Sequence, residues 1–470
     1  MGEKKEKKKK IPRQSMPEQN PDERRRNFDE VPLGYDENTA VTEAGRCLDC
    51  KNPSCISGCP VEIDIPAFVK AVVTGDYSGA ISKIREKNSL PAVCGRVCPQ
   101  EIQCEGECVL GKKGDSLAIG HLERFAADWE RMHGAGKLPE KAPATGRKVA
   151  VVGSGPAGLT VAGDLLLKGH GVTMMEAFHK PGGVLVYGIP EFRLPKDIVA
   201  VEIAFLEKLG LQIELNTVVG RTVSLDELFE QGYDGVFIGV GAGLPSFLNI
   251  EGENLIGIYS ANEYLTRANL MKGYRFPEYD TPMALGKDVV VIGAGNVAMD
   301  SARTAMRLGA ERVRIVYRRS REEMPARAEE IHHAEEEGIE FHLLTSPVRF
   351  IGDENDRLTG MEVLQMELGE PDESGRRRPV PVEDSAYVME CDMVIIAVGA
   401  HANPLLTRTD PEIQLDRRGY ILTEPGTGKT TKKGVWAGGD IVTGQATVIL
   451  AMGAGRIASD SIHDYLSWGW

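Results

Sequence analysis

Eight of the nine cysteines lie between residues 47 and 108 of the 470-residue chain. They form two runs, Cys47-x2-Cys50-x4-Cys55-x3-Cys59-Pro60 and Cys94-x3-Cys98-Pro99-x4-Cys104-x3-Cys108. Ferredoxins use a related run, C-x2-C-x2-C-x3-C-P, in which the fourth cysteine ligates the other cluster of a pair. The two runs therefore predict two iron-sulfur clusters. Structural zinc and disulfides are the alternatives. The repeated Cys-Pro pair and the redox motifs that follow weigh against zinc, and the clustering of cysteines in a chain expected to be cytosolic weighs against disulfides.

The spacing also predicts which cysteines share a cluster. The first cluster would take Cys47, Cys50 and Cys55. The second would take Cys59, which crosses over to join Cys98, Cys104 and Cys108. The first cluster then lacks a fourth ligand, which is either Cys94 or a group other than cysteine. Helical periodicity between the runs predicts a small helical domain over residues 1–145 around the two clusters.

A dinucleotide-binding fingerprint follows this region. The sequence KVAVVGSGPAG, residues 148–158, joins a β-branched strand to a glycine turn that opens a helix. The glycines would allow a tight turn, close approach of a pyrophosphate and packing of helix on strand, and an acid ends the next strand, where a ribose hydroxyl would bind. The predicted contacts are Gly153, Ser154, Gly155, Pro156, Ala157, Gly158 and Glu176.

A second fingerprint, KDVVVIGAGNVAMD, occupies residues 287–300. Here the next strand ends in Arg318 and Arg319 instead of an acid, and guanidinium groups bind a 2'-phosphate that a carboxylate would repel. This site is therefore predicted to bind NADP(H), with Arg327 as a third positive group. The predicted contacts are Gly293, Gly295, Asn296, Val297, Arg318, Arg319 and Arg327.

The first fingerprint, which carries the acid, suits FAD. Two further stretches, PGG at 181–183 and WAGGD at 436–440, predict additional flavin contacts, and a helix opening near Thr447 would stabilise negative charge on the reduced ring. These contacts are Gly182, Gly183, Gly439, Asp440, Gln445, Ala446 and Thr447. No catalytic acid or base is predicted.

The order of these motifs predicts an α/β protein with two Rossmann-like domains after the helical iron-sulfur domain. The NADP(H)-binding domain, residues 283–400, would be inserted into a split FAD-binding domain, residues 146–282 and 401–470. Apolar strands that end in glycine turns, at 235–243 and 393–400, are the predicted crossing points.

Composition excludes several functional classes. The net charge of -14 argues against a nucleic-acid binder. No apolar run approaches the length of a membrane span, and the N-terminus has no hydrophobic signal region. We therefore expect a cytoplasmic protein.

Taken jointly, the motifs CxxCxxxxCxxxCP, GSGPAGL, GAGNVAMDxARTAxRLGA, VYRRSREEMPA and WAGGD resemble the glutamate synthase small (beta) subunit family. The family combines an iron-sulfur domain with a thioredoxin-reductase-like flavoprotein. The segment AVCGRVCPQEIQCEGECVLGKKG resembles the large subunits of Nfn, the NADH-dependent reduced ferredoxin:NADP+ oxidoreductases, and archaeal homomeric glutamate-synthase-like proteins.

The resemblance implies FAD, NADP(H) and two [4Fe-4S] clusters. It also implies a hetero-oligomer that passes electrons from NADPH to a partner. The partner would be a small FAD/[2Fe-2S] subunit with ferredoxin, in flavin-based electron bifurcation, or the large subunit of a glutamate synthase; a sulfide dehydrogenase role is another possibility. The similar domain of dihydropyrimidine dehydrogenase has a glutamine ligand at the position of Glu123, so the resemblance favours Glu123 over Cys94 as the fourth ligand beside Cys47, Cys50 and Cys55.

Overall fold

The structure, a computed structural model, describes residues 11–134, 138–371 and 375–470. The helices are α1 (Pro21–Arg24), α2 (Glu37–Ala44), α3 (Ser54–Ser57), α4 (Ile65–Val73), α5 (Tyr77–Arg85), α6 (Pro91–Val97), α7 (Ile119–His133), α8 (Pro156–Leu167), α9 (Val184–Tyr187), α10 (Lys196–Lys208), α11 (Leu225–Glu230), α12 (Ala261–Asn269), α13 (Asn296–Arg307), α14 (Ala328–Glu336), α15 (Asp440–Thr443) and α16 (Val448–Trp468). The strands are β1 (Lys148–Val152), β2 (Gly171–Met175), β3 (Gln212–Glu214), β4 (Gly235–Ile238), β5 (Leu244–Pro245), β6 (Ile258–Ser260), β7 (Asp288–Ile292), β8 (Arg312–Tyr317), β9 (Glu340–Leu343), β10 (Thr345–Gly352), β11 (Leu358–Pro371), β12 (Arg377–Pro381), β13 (Tyr387–Glu390), β14 (Met393–Ile396), β15 (Ala400–His401) and β16 (Val435–Ala437).

The N-terminal region is helical, as its periodicity predicts. The periodic stretch between the cysteine runs forms two helices, α4 and α5, because Gly75 adopts a φ of +76° between them. Asp76 then begins α5 by accepting a hydrogen bond from the Gly79 N–H at 2.8 Å. Helix α6 crosses α7 closely at Gly95, where a Cβ would lie 2.6 Å from the Arg124 nitrogen.

The first Rossmann-like sheet has the order β16-β4-β1-β2-β3, and all its pairings are parallel. Its strands β1, β4 and β16 are mostly apolar and buried on both faces, as parallel strands covered by helices are, whereas the edge strand β3 is partly exposed. Helices α8 and α16 cover one face, and a continuous hydrophobic core joins this face to the N-terminal helices.

The second Rossmann-like sheet has the order β6-β14-β7-β8-β9 and is also entirely parallel. A four-stranded antiparallel sheet of β10 to β13 is inserted between β9 and β14. The short antiparallel pair of β5 and β15 marks where the chain crosses between the two Rossmann-like sheets.

The division between the two dinucleotide-binding regions differs from the predicted boundary at residue 282. Strand β6 pairs with β14 in the second sheet, with Ile258 opposite Val394, although residues 258–260 precede that boundary. The first strand of the second sheet therefore comes well before the fingerprint of that sheet in the chain. Among the helices of the described residues, none combines the length and apolarity that crossing a membrane requires.

Candidate flavin, nicotinamide and iron-sulfur sites

The first fingerprint has the geometry that dinucleotide binding requires. Gly153 has a φ of +98°, and a Cβ there would lie 2.6 Å from the Gly239 oxygen. A Cβ on Gly158 would lie 2.1 Å from the Gly153 oxygen, so this glycine permits α8 to pack on β1. By contrast, a Cβ on Gly155 would meet nothing within 4 Å, which leaves room for a pyrophosphate at the start of α8.

Glu176 connects this turn to the Gly182-Gly183 segment. Its carboxylate accepts hydrogen bonds from the hydroxyl of Ser154 and, at 3.0 Å, from the Ser154 N–H. The Ser154 hydroxyl oxygen in turn accepts a hydrogen bond from the Gly182 N–H at 2.8 Å. A Cβ on Gly183 would lie 2.8 Å from the Gly155 Cα, so this glycine lets the two loops approach. The glycine turn at 153–155, Glu176 and the segment 182–183, which are separate in sequence, thus lie together at one place.

The C-terminal glycine stretch reaches the same edge of the sheet. A Cβ on Gly439 would lie 3.2 Å from the Ala157 Cβ, which puts the Gly438–Asp440 turn against α8. Burial raises the pKa of Asp440 to about 6, and the carboxylate accepts a hydrogen bond from the Ala446 N–H at 3.3 Å. Thr447 begins α16 by accepting a hydrogen bond from the Leu450 N–H, and Gln445 lies near Gly399 at the domain crossing.

The second fingerprint repeats the arrangement. Gly293 has a φ of +130°, and a Cβ there would lie 2.3 Å from the Ala397 oxygen. Gly295 precedes α13 with open space beside it: a Cβ there would have the Pro325 ring, at 3.8 Å, as its nearest contact among the described residues. Asn296 and the half-exposed Val297 form the first turn of α13.

The two arginines after β8 lie on the loop that leaves the sheet beside this turn. Arg318 is exposed, and the Arg319 guanidinium donates to the Arg377 carbonyl oxygen at 2.9 Å. Ser320 and Glu323 form a reciprocal capping box that shapes the loop.

The side chain of Arg327 points away from this loop, although its backbone N–H donates to Asn296 Oδ1. Its guanidinium donates to the Arg96 carbonyl oxygen and to Gln100 Oε1 in the helical domain, at 3.2 and 3.0 Å. It also forms ion pairs with Glu101 and Glu329. Because its charge is balanced by these partners, the predicted role of Arg327 as a third 2'-phosphate contact finds no support in this geometry.

The cysteines form two groups, but not those that the spacing predicts. Cys108 lies with Cys47, Cys50 and Cys55 around one cavity, which we call the outer cysteine group. The pKa of the Cys55 thiol is raised to about 11, mainly by burial and then by the neighbouring sulfurs, Cys108 first. The predicted assignment of Cys108 to the other cluster is therefore corrected. The reason is that residues 104–108 fold back over the first cysteine run, with the Ser54 hydroxyl donating to the Glu107 carbonyl oxygen.

Three of the remaining cysteines, Cys59, Cys98 and Cys104, form what we call the inner cysteine group, and Glu123 and Cys94 lie beside them. Burial raises the pKa of Cys59 to about 11, with further contributions from Glu123 and Cys94. The pKa of Cys104 is raised by burial and then by nearby carboxylates, Glu123 among them. The prediction that Glu123 completes the Cys47, Cys50 and Cys55 set is thus also corrected, because its carboxylate faces the inner group.

Glu123 is a buried carboxylate on α7. Burial raises its pKa to about 8, and the amide of the fully buried Asn88 donates to its Oε1 at 2.7 Å. Cys94 is completely buried; its sulfur lies 3.7 Å from Asn88 Oδ1 and 3.5 Å from Met452 Sδ of α16. A carboxylate and a thiol therefore both adjoin the inner group.

The spacing of the thiols bears on the kind of metal. All nine cysteines are free thiols. A tetrahedral zinc ion would bring its ligand sulfurs to roughly 3.8 Å from one another. Within the described residues, no three cysteine sulfurs lie within 4.8 Å of one another. A single zinc ion bound by three of these thiolates would therefore need their sulfurs to move closer together.

Comparisons with known proteins agree with this arrangement. Residues 24–135 match the family described as dihydropyrimidine dehydrogenase domain II, 4Fe-4S cluster, and residues 147–455 match the pyridine nucleotide-disulphide oxidoreductases. The glutamate synthase [NADPH] small chain of Halomonas elongata is 38% identical over 448 residues, which cover 94% of each chain. The chain belongs to the glutamate synthase small-chain family.

Some other relatives of this chain are longer proteins. The beta subunit of the NADP(+)-dependent formate dehydrogenase of Moorella thermoacetica is 41% identical over 438 residues, which are 88% of this chain and 60% of the relative. Among solved structures, Mycobacterium tuberculosis FprA in complex with NADPH superposes with a TM-score of 0.57 at 22% identity, covering 69% of this chain and 85% of FprA.

Membership of the family confirms several predictions. The protein is an NADPH-dependent oxidoreductase with FAD and iron-sulfur clusters, and its fold is the predicted α/β class with an N-terminal iron-sulfur domain. The names of its relatives describe them as a beta subunit and a small chain of larger enzymes. The number of clusters and the roles of individual residues stay predictions.

Proposed function

We propose that this chain is the subunit through which NADP(H) exchanges electrons with a partner protein. The observation that carries the proposal is that the first fingerprint connects to both other kinds of site. Its sheet meets the second Rossmann-like sheet at the β5–β15 crossing, and helix α16, which begins beside its glycine turn, packs against Pro60 next to Cys59. Bound FAD would convert a hydride into single electrons, which clusters carry one at a time.

Helix α16 supports a direct link between the flavin site and the inner cysteine group. It begins at Thr447 beside the glycine turn, and its Gly453 lies against the Cys59-Pro60 pair, since a Cβ on Gly453 would lie 2.9 Å from the Pro60 oxygen. Met452, on the same turn of the helix, contacts Cys94. We infer that the inner group holds the cluster that exchanges electrons with the flavin.

The outer cysteine group supports an exit to the partner. Its cavity opens to the surface beside Leu48 and Val109, whose side chains are 58% and 38% exposed. Exposed apolar side chains at the mouth of a redox site favour a protein partner over a small diffusible acceptor. We infer that a partner docks over Leu48 and Val109.

The residues at each turn define how the nucleotides would be held. Gly155 and the first turn of α8 would bind the FAD pyrophosphate, Glu176 its ribose and Asp440 the ribityl chain. Gly295 and Asn296 would bind the NADP(H) pyrophosphate, and Arg318 and Arg319 its 2'-phosphate. A positive pair at this place favours NADP(H) over NAD(H) because the guanidinium groups bind phosphate bidentately.

For the partner, we propose the Nfn type, in which NADP(H) is coupled through bifurcation at the FAD to ferredoxin and to a small FAD/[2Fe-2S] subunit that serves NAD. The similarity of residues 92–114 to Nfn large subunits favours this type. The second candidate is the small subunit of a glutamate synthase, which the near-complete match to the Halomonas small chain favours. A sulfide dehydrogenase subunit is a variant of the same architecture.

An NADPH oxidation assay separates these functions. The protein is purified anaerobically together with any subunit that co-elutes. NADPH oxidation is followed with ferredoxin and NAD+, each alone and together. Reduction of ferredoxin only when NAD+ is also present supports the Nfn type. Activity that instead depends on glutamine and 2-oxoglutarate supports the glutamate synthase. If NADPH does not bleach the flavin of the isolated chain, the proposed electron entry itself is wrong.

A further inference from the structure

Arg327 links two cofactor sites that lie in different parts of the chain. It precedes α14 at the edge of the second Rossmann-like sheet, yet only 8% of it is exposed, because its side chain enters the N-terminal helical domain. Arginine stays charged when buried and presents five donors in a rigid fork, so an arginine placed in this way fixes the geometry of what it binds.

The backbone of Arg327 belongs to the nicotinamide site. Its N–H donates to Asn296 Oδ1 at 3.0 Å, and Asn296 is the first residue of α13. Pro325, two residues before Arg327, is the neighbour of Gly295 at the same turn. The segment 325–327 therefore forms one wall of the place where the NADP(H) pyrophosphate would bind.

The guanidinium of Arg327 is connected to the inner cysteine group through Gln100. It donates to Gln100 Oε1, and the amide of Gln100 donates to the Cys94 carbonyl oxygen at 3.2 Å. The Gln100 carbonyl oxygen also accepts a hydrogen bond from the Glu105 N–H, next to Cys104. Gln100 thus anchors both segments that carry the second cysteine run, and Arg327 holds Gln100.

A second buried arginine ties the nicotinamide site to the flavin domain. Arg193 binds Asp300 of α13 through both carboxylate oxygens, at 2.8 and 2.9 Å, and its Nε lies 2.8 Å from a carboxylate oxygen of Glu330 on α14. Helices α13 and α14 are therefore fixed against the flavin domain on one side and against the cluster domain on the other.

We propose that Arg327 is a positioning residue that sets the orientation of the NADP(H)-binding domain toward the flavin by anchoring it on the cluster domain. The inference rests on the proposed electron entry from NADPH to the flavin. It differs from a phosphate-binding role, because a positioning residue affects hydride transfer from NADPH and from NADH equally, whereas a 2'-phosphate contact affects NADPH alone.

The test is stopped-flow bleaching of the flavin by saturating NADPH or NADH, in the whole chain with its cofactors. Arg327→Gln should slow both reductions by the same factor, about ten- to a hundredfold, because a displacement of about 1 Å costs that much. The ratio of the two rates should stay that of the parent protein. The matched double variant Arg318→Gln/Arg319→Gln should bind NADPH with a lower apparent affinity and be reduced by it more slowly. Its reduction by NADH should stay that of the parent protein.

Two results would overturn the proposal: an unchanged saturating rate in Arg327→Gln, or a loss of the preference for NADPH over NADH. Flavin and iron contents are measured to confirm that the variant folds. If it does not, Gln100→Ala removes the acceptor on the cluster side and should slow both nucleotides equally, while no change in that variant counts against the anchor. Failure of the parent protein to bleach with NADPH would refute the proposed electron entry instead.

Discussion

At the scale of residues, the buried carboxylate of Glu123 has the clearest consequence. It faces the inner cysteine group and has one hydrogen-bond donor, Asn88, among the described residues, so its second oxygen is available to a metal. If Glu123 completes the inner cluster, Glu123→Ala should lower the iron content from about eight to about four atoms per chain. The electron paramagnetic resonance signal of one cluster should disappear.

Controls separate Glu123 from Cys94, its neighbour at the same group. Glu123→Cys should retain the iron with an altered resonance signal, because thiolate is a softer ligand than carboxylate. Cys391→Ala, which removes a buried cysteine on the far side of the second sheet, should leave iron and spectra unchanged. Full iron in Glu123→Ala, lost only when Cys94 is also replaced, would identify Cys94 as the ligand.

How well single residues could be predicted depends on how local their geometry is. The glycines of both fingerprints lie within one strand, turn and helix, so their spacing is enough to predict them, although the close contacts of Gly153 with Gly239 and of Gly293 with Ala397 involve residues that directly follow neighbouring strands. The grouping of Cys108 depends on how residues 104–108 fold back over the first run, and spacing does not encode that path. Arg327 lies only eight residues after Arg319, but the burial of its side chain in another domain has no signal in the local sequence.

At the scale of elements, α16 links the flavin site to the clusters through its small residues. Gly455 faces α8, and a Cβ there would lie 2.6 Å from the Ala157 oxygen, in the first turn of the flavin fingerprint. Gly455→Ala should therefore push α16 away from α8. We expect a loss of about 1–3 kcal/mol in the free energy of unfolding. The FAD content of the purified protein should also fall, which absorbance at the flavin band measures.

Ile457→Ala is the matched control for this substitution. Ile457 lies on the same helix, two residues later, with 47% of its surface exposed. Its replacement should change the free energy of unfolding by less than about 0.5 kcal/mol and leave the FAD content unchanged. Equal FAD contents in Gly455→Ala and Ile457→Ala would show that close packing of α16 on α8 is not needed for the flavin site.

The elements themselves were predictable where their pattern is long. Strands β1, β7 and β14 are apolar runs closed by glycine, and a helix follows each fingerprint, as predicted. Strand β6 has three residues, Ile258 to Ser260, which is too short for a recognisable period. Its place in the second sheet follows from its pairing with β14, so the predicted boundary at residue 282 missed it.

At the scale of the whole molecule, buried ion pairs join parts of the chain that are far apart in sequence. Arg24, on α1 ahead of both cysteine runs, has a side chain only 1% exposed and binds Glu336 and Glu337 at the end of α14, at 2.6 and 3.1 Å. Glu337 also binds Arg303 and Arg307 of α13. Charged residues of this kind look like surface residues in a sequence, and only the folded chain identifies them as interdomain contacts.

The neighbouring arginines Arg24 and Arg25 provide the test of this linkage. Arg24→Ala leaves the buried carboxylate of Glu337 without one of its partners. Such a loss typically costs about 3–5 kcal/mol, and we expect the lower end because Arg303 and Arg307 still neutralise Glu337. Arg25 pairs with Asp22, whose side chain is 82% exposed, so Arg25→Ala should cost less than about 1 kcal/mol. Urea unfolding of the intact protein under anaerobic conditions, followed by tryptophan fluorescence, measures the difference. Similar midpoints for the two variants would mean that the N-terminal segment does not hold the NADP(H)-binding domain, and Arg193 and Arg327 would then be its main attachments.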